Sequence, residues 1–266
     1  MKNLLIIIIL ILTTINLYAK GDDMELLRLF PRIAMIGDSL SSGEIVHDDD
    51  RALGVLYGAP HPDRGIVNEG PACVDCIESS WCSHICRRIG AKATHWTKGG
   101  ISAEGWLNIY NYFLALDKNK YPCVFIALGA NDFWGYDLGK ETDDLNSKTF
   151  SGYYNEIIKS VRHFHPECVI FCLSMYYDNS FTDKNQFGQT RADYSQGIKK
   201  ISEQYKKCYY LDFANESENA FGKTKYERRG HYNSPGYLAV SYDIEKLANK
   251  ALLENIHDLD DITLYF

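Results

Sequence analysis

The chain has 266 residues, 45% of them hydrophobic, enough for one large α/β domain with a sizeable core, and it contains no low-complexity stretch of the kind that marks disorder. Lys and Arg number 28 against 35 Asp and Glu, giving a formal charge of −7 with no basic run, so the electrostatic footprint of a nucleic-acid binder is missing. A neutral or weakly charged substrate suits this balance better.

The N-terminus begins Met1-Lys2-Asn3, runs without a polar residue from Leu4 to Leu12, and passes to Tyr18-Ala19-Lys20. This pattern predicts a secretory signal peptide over 1–19, cleaved after Ala19. The apolar stretch falls short of the roughly 20 residues that span a bilayer. The expectation is therefore a secreted or periplasmic protein, residues 20–266 forming a single domain with no stable membrane anchor after cleavage.

The first β-type run, 32–36, carries Ile33-Ala34-Met35-Ile36 straight into Gly37-Asp38-Ser39-Leu40. A serine delivered from a strand into a glycine-bearing turn is presented for nucleophilic attack. A long excursion follows, with His47-Asp48-Asp49-Asp50 and then His61 and Asp63. Acidic loop runs of this kind are normally hydrated surface, and the expectation is no metal and no cofactor. Cys73, Cys76, Cys82 and Cys86 cluster near His84 and admit zinc, a local disulfide or unpaired thiols. Zinc is the weakest of these, because Cys82 and Cys86 lie one turn apart inside a single helical pattern. Cys123, Cys168 and Cys172 fall within apolar runs as core thiols, and Cys208 begins a similar run.

Further β-type runs at 93–97, 123–128, 169–173 and 209–213 alternate with helical patterns at 81–89, 104–116, 150–164 and 192–205. Such alternation predicts a parallel sheet wrapped by helices. In the third helix, Tyr154, Ile157, Ile158, Val161 and Phe164 form one stripe, which belongs to the core. A last helix is expected after Ser234-Pro235, with the serine as cap. Ligands of an open parallel sheet bind beyond the carboxyl ends of its strands, where the long loops leave.

Three strand-end segments carry the remaining chemistry. Lys98-Gly99-Gly100-Ile101 offers an unobstructed backbone N–H after the second run, and Leu128-Gly129-Ala130-Asn131-Asp132 offers a side-chain amide after the third. Gly230-His231-Tyr232-Asn233 places a histidine just before the last helix. Phe133, Trp134, Tyr136, Tyr176, Tyr177, Phe181 and Phe187 fall in loops expected around Ser39, some as packing and some as flat faces suited to a sugar.

This ordered set resembles the SGNH, or GDSL, hydrolase family, over essentially the whole mature chain from about Arg32 to about Ala251. The resemblance implies a three-layer α/β/α sandwich on a five-stranded parallel sheet. It implies Ser39 as nucleophile, His231 as general base, and an oxyanion hole from the Ser39 N–H, the Gly100 N–H and the Asn131 side chain. Family members carry an aspartate three residues before the histidine, where this chain has Arg228. Glu227 lies one residue out of register. Three arrangements are open: Glu227 reaches the imidazole, the Arg228 carbonyl does, or Ser39 and His231 act as a dyad with nothing behind them. A carbonyl-oriented dyad is favoured slightly over Glu227.

The expected activity is hydrolysis of small acyl esters, acetyl foremost, on a small-molecule or glycan substrate through an acyl-enzyme. The alternatives are a lipase or lysophospholipase, and a non-catalytic glycan-binding protein that keeps the fold.

Overall fold

The structure is a computed structural model that describes residues 25–47, 72–118 and 120–261. The signal-peptide segment 1–19, Asp48–Asp50, His61 and Asp63, and the side chains of His47 and Cys73, lie outside the described residues.

In chain order the elements are β1 (Arg32–Gly37), α1 (Ser39–Ser42), β2 (Ile45–His47), β3 (Ala72–Val74), α2 (Trp81–Ile89), β4 (Lys92–Thr97), α3 (Ala103–Leu116), β5 (Cys123–Ala127) and α4 (Asp132–Gly135). Then follow α5 (Phe150–Phe164), β6 (Val169–Leu173), α6 (Arg191–Ser202), β7 (Cys208–Leu211), α7 (Phe213–Glu216), β8 (Glu227–Arg228), β9 (His231–Tyr232) and α8 (Ser234–Glu254).

Five strands form one parallel sheet in the order β4-β1-β5-β6-β7. Every residue of β5 and β6 is buried, as apolar runs must be when helices cover both faces of a parallel sheet. Successive side chains alternate between the two layers. Ile33, Met35, Phe125 and Phe171 pack with Trp81 and Ile85 of α2 and with Val240 and Ile244 of α8. Ala34, Ile36, Val124, Ile126 and Ile170 pack with Trp106 of α3, with Tyr154, Ile157 and Val161 of α5, and with Ile198 of α6. The expected three-layer sandwich and the core stripe of α5 are both present.

The β1-to-β4 connection through α2 and the closing helix α8 use one face, whereas the connections through α3, α5 and α6 use the other. The chain therefore changes direction between β1 and β5, and this switch point opens a crevice at their carboxyl ends.

Boundaries differ from expectation where side-chain caps intervene. Thr190 caps α6 in a reciprocal capping box with Asp193, so the helix begins at Arg191, and it ends at Ser202. The last strand stops at Leu211 because Phe213 starts the short helical turn α7. At α8 the cap is Asn233, whose side chain accepts the Gly236 N–H at 2.9 Å, while Ser234 and Pro235 fill the first helical positions.

The described cysteines 76, 82, 86, 123, 168, 172 and 208 are free thiols, with Cys82 and Cys86 buried in the core face of α2. Among the described residues, no group of three or more His, Cys, Asp or Glu side chains is placed to hold a metal ion. No described helix is long and apolar enough to cross a membrane.

Candidate active site

The site begins with a tight turn. A Cβ at Gly37 would overlap the Ser41 side chain and come within 3.0 Å of the Ala127 carbonyl, so only glycine lets α1 fold back over the end of β1. Asp38 caps α1 by accepting the Leu40 N–H at 3.0 Å. Ser39 is the first helical residue, so its own N–H has no intrahelical acceptor. Gly43, at φ +75°, ends the turn and brings the Glu44 N–H onto the Ser39 carbonyl at 3.0 Å. Two buried tyrosines hold this turn from outside: the Tyr237 hydroxyl donates to the Glu44 carbonyl at 2.8 Å, and the Tyr176 hydroxyl meets Ser41 Oγ at 3.3 Å and accepts from Trp81 Nε1 at 3.0 Å.

The histidine arrives on a hairpin. β8 and β9 pair antiparallel, with Arg228 opposite His231 and Glu227 opposite Tyr232. Their two-residue connection, Arg229 at φ +52° and Gly230 at φ +79°, has the left-handed backbone that tight hairpin turns require. His231 Nε2 lies 3.0 Å from Ser39 Oγ. Behind the ring, Nδ1 faces the Arg229 carbonyl at 3.4 Å. A carbonyl only accepts, so the proton belongs on Nδ1 and the Nε2 lone pair faces the serine hydroxyl.

This corrects the residue that orients the imidazole. Neither Glu227 nor the Arg228 carbonyl occupies that place; the carbonyl is that of Arg229, because the left-handed turn aims it back at the ring. Glu227 lies on the opposite side of the two-stranded ribbon from His231, and its Oε1 accepts the Gly230 N–H at 3.2 Å.

Gly100 and Asn131 enter through the sheet register. Gly37 is level with both Thr97 and Ala127, so the turns after β4 and β5 flank the turn after β1. Asn131 Nδ2 donates to the Ile101 carbonyl at 2.9 Å, and Asp132 accepts the Ala103 N–H at 2.9 Å. These two bonds tie the Asn131 turn to the Gly100 turn. Gly100 is left-handed at φ +74°, and the Asn131 amide keeps a second N–H beyond the one given to Ile101.

Burial shapes the electrostatics. It raises Asp38 from the ordinary aspartate range to about 8 and Asp132 to about 7, and each leaves one carboxyl oxygen without a partner among the described residues.

One acidic residue was not legible as part of the site. Glu44 is 3% exposed, and its Oε1 lies 3.4 Å from His231 Nε2. A lone glutamate one residue past a glycine carries no spacing signal. Of the loop aromatics, Phe133 and Tyr176 are core residues, and Tyr177 and Phe181 ring the Arg191 guanidinium, which pairs with Asp183 at 2.5 Å. Trp134 and Phe187 remain exposed, at 61% and 44%. A cavity of about 520 Å³ lies along β7 and α8, lined by Tyr209, Asp212, Lys250 and Asp258 among others, away from Ser39.

A serine hydroxyl against the free nitrogen of an imidazole, with N–H donors on the flanking turns, is equipped for acyl transfer. Similar solved structures include a Corynascus thermopiles (Myceliophthora fergusii) carbohydrate esterase family 2 enzyme with a carbohydrate binding domain, at 15% identity, TM-score 0.57, and coverage of 84% of this chain and 66% of that one. The psychrotrophic esterase EstA from Pseudoalteromonas aligns at 14% identity and TM-score 0.52, over 85% of this chain and 99% of its own. The lipase/acylhydrolase from Enterococcus faecalis aligns at 13% identity and TM-score 0.53, over 82% and 95%. No curated protein matches the sequence. The family model described as GDSL-like Lipase/Acylhydrolase matches residues 35–239, a span that takes in Ser39, Gly100, Asn131 and His231. The chain belongs to this GDSL-like lipase/acylhydrolase family and is a carboxylic ester hydrolase.

Proposed function

We propose that the protein is an exported serine esterase that removes small acyl groups, acetyl foremost, from a carbohydrate or similar polyol. The observation that carries the reading is the 3.0 Å approach of Ser39 Oγ to His231 Nε2. Ser39 attacks the ester carbonyl as its proton passes to Nε2, and the carbonyl electron pair moves onto oxygen. The N–H groups of Ser39 and Gly100 and the second Asn131 N–H are assigned to that oxyanion. Collapse expels the alcohol with the proton from Nε2, and water repeats the sequence on the acyl-enzyme to release the acid.

The carbohydrate preference is supported by the exposed Trp134, three residues beyond Asn131, since a flat indole suits a sugar face. A carbohydrate esterase among the similar structures points the same way. Export rests on the 1–19 segment.

A serine-directed fluorophosphonate should label the wild type and not Ser39→Ala, and the variant should lose at least about a thousandfold in aryl acetate hydrolysis. Acetate release from acetylated xylan or acetylated sialic acid is expected. Turnover of phospholipid alone would move the assignment to a lipase, and a folded wild type that neither labels nor hydrolyses would make the protein a non-catalytic glycan binder.

A further inference from the structure

We propose that Glu44 is the positioning residue whose negative charge steadies the His231 imidazolium, so that a carboxylate on the Nε2 side of the ring takes over the part of the family aspartate whose sequence position is held by Arg228. This rests on the Ser39 and His231 reading above and extends it to a residue outside the four motif blocks.

The geometry is specific. The backbone of Glu44 is held at both ends, by its N–H on the Ser39 carbonyl at 3.0 Å and by the Tyr237 hydroxyl on its own carbonyl at 2.8 Å. Its side chain is 4% exposed and wedged between two parts of the site. Oε1 lies 3.4 Å from His231 Nε2, and Oε2 lies against Gly99, where any Cβ would overlap it. A glycine at 99 is thus what leaves room for the carboxylate.

The neighbouring acids are otherwise engaged. Asp38 caps α1 and is pushed up to about 8 by burial. Asp75 accepts from Ser42 Oγ and, at 3.2 Å, from the Gly99 N–H. Glu227 is committed to the Gly230 N–H on the far side of the hairpin. The Tyr237 hydroxyl faces the Glu44 carbonyl, and the cations on the surrounding turns are Lys98, Arg228 and Arg229. Among the described residues Glu44 is the carboxylate that touches the reacting edge of the ring.

During acylation the serine proton moves to Nε2 as the Oγ–C bond forms. Nδ1–H then points at the Arg229 carbonyl, and Nε2–H lies between the leaving oxygen and Glu44 Oε1. Glu44 takes no proton; the proton goes to the alcohol as the C–O bond breaks, and the carboxylate is unchanged at the end of the cycle. A carboxylate 3.4 Å from Nε2 favours the charged ring as it develops in the transition state.

The test compares wild type, Glu44→Gln and Glu44→Asp for kcat, KM and the pH dependence of kcat/KM on an aryl acetate. Glutamine keeps shape and hydrogen bonding but not charge. Its kcat should fall about 10- to 100-fold, less than the roughly 10²–10⁴-fold that a general acid or base itself contributes because Glu44 carries no proton, with KM little changed and the acidic limb moved to lower pH. Glu44→Asp, which withdraws the charge by one methylene, should show a smaller loss and a smaller limb shift. If glutamine fails to fold, the aspartate variant carries the test by the same two readouts. Wild-type kcat and an unmoved limb in a folded variant overturn the proposal, as does a loss confined to KM. Unfolding of both variants assigns Glu44 to the scaffold and also overturns it. Failure of the underlying reading shows up differently, as a wild type that does not label.

Discussion

At His231 one ring nitrogen decides the chemistry and the other decides whether the ring is correctly held. The 3.4 Å contact of Nδ1 to the Arg229 carbonyl is long for a hydrogen bond, so orientation by the backbone is weak. Glu227 contributes a turn contact instead, a partly solvated bond to the Gly230 N–H worth about 1 kcal/mol at most. Glu227→Gln retains an acceptor there, so kcat/KM should stay within about threefold of wild type, the cost of well under 1 kcal/mol. A loss of several hundredfold in steady-state assays would restore Glu227 to the imidazole. The one-residue error in naming the carbonyl has a physical source. Two consecutive left-handed residues, Arg229 and Gly230, reverse the chain within two positions, and only the folded hairpin shows which carbonyl ends beneath the ring.

Among the elements, helix ends and turns set the positions of the reactive groups. The 21-residue α8 begins three residues after His231, and its cap is the Asn233 side chain on the Gly236 N–H. Replacing a cap of this kind by alanine costs about 1 kcal/mol. Asn233→Ala should therefore lower the unfolding free energy by that amount, read as a lower urea midpoint with an unchanged m-value, and a shift indistinguishable from zero would remove Asn233 as the cap. Serine and asparagine both cap well, so Asn233-Ser234-Pro235 left the choice open by one residue. The hydrogen bond made in the folded chain selects Asn233. On α6, Arg191 is 6% exposed, with Phe133 and Tyr177 each 4.3 Å from its guanidinium. The loops after β5 and β6 are thus joined through a cation and rings that the sequence presents as unrelated side chains.

Across the whole molecule, the order β4-β1-β5 brings three sequence-distant turns to one end of the sheet. The same convergence buries acids. Asp38 at about 8 and Asp132 at about 7 both stand above the ordinary range because burial disfavours their charged forms. The folded protein therefore holds these protons more tightly than the unfolded chain. Their stabilising contribution is complete below about pH 4 and is lost as pH rises through about 7 and 8. A tenfold difference in proton affinity between folded and unfolded chain is worth about 1.4 kcal/mol, so the window carries several kcal/mol. Urea midpoints should fall between pH 5 and pH 9 in wild type and fall less in Asp38→Asn, which keeps an acceptor for Leu40 without the charge. Equal slopes in the two proteins would show that Asp38 ionises freely in the fold.

Much of this architecture was readable from local patterns. Apolar runs of five or six residues between amphipathic segments specify buried parallel strands, and Gly37, Gly100 and Asn131 stand at strand ends where turns must form. The serine in the first turn and the histidine before the last helix follow from the same reasoning, because chain order and strand ends are properties of the sequence. The three-dimensional arrangement decided the rest. Which carbonyl lies under the imidazole depends on the hairpin's handedness, and which carboxylate reaches Nε2 depends on the space beside Gly99 and on Tyr237 arriving from a helix nearly two hundred residues away. Such contacts join residues whose spacing in the chain has no period, so they become visible only when the sheet brings the turns together.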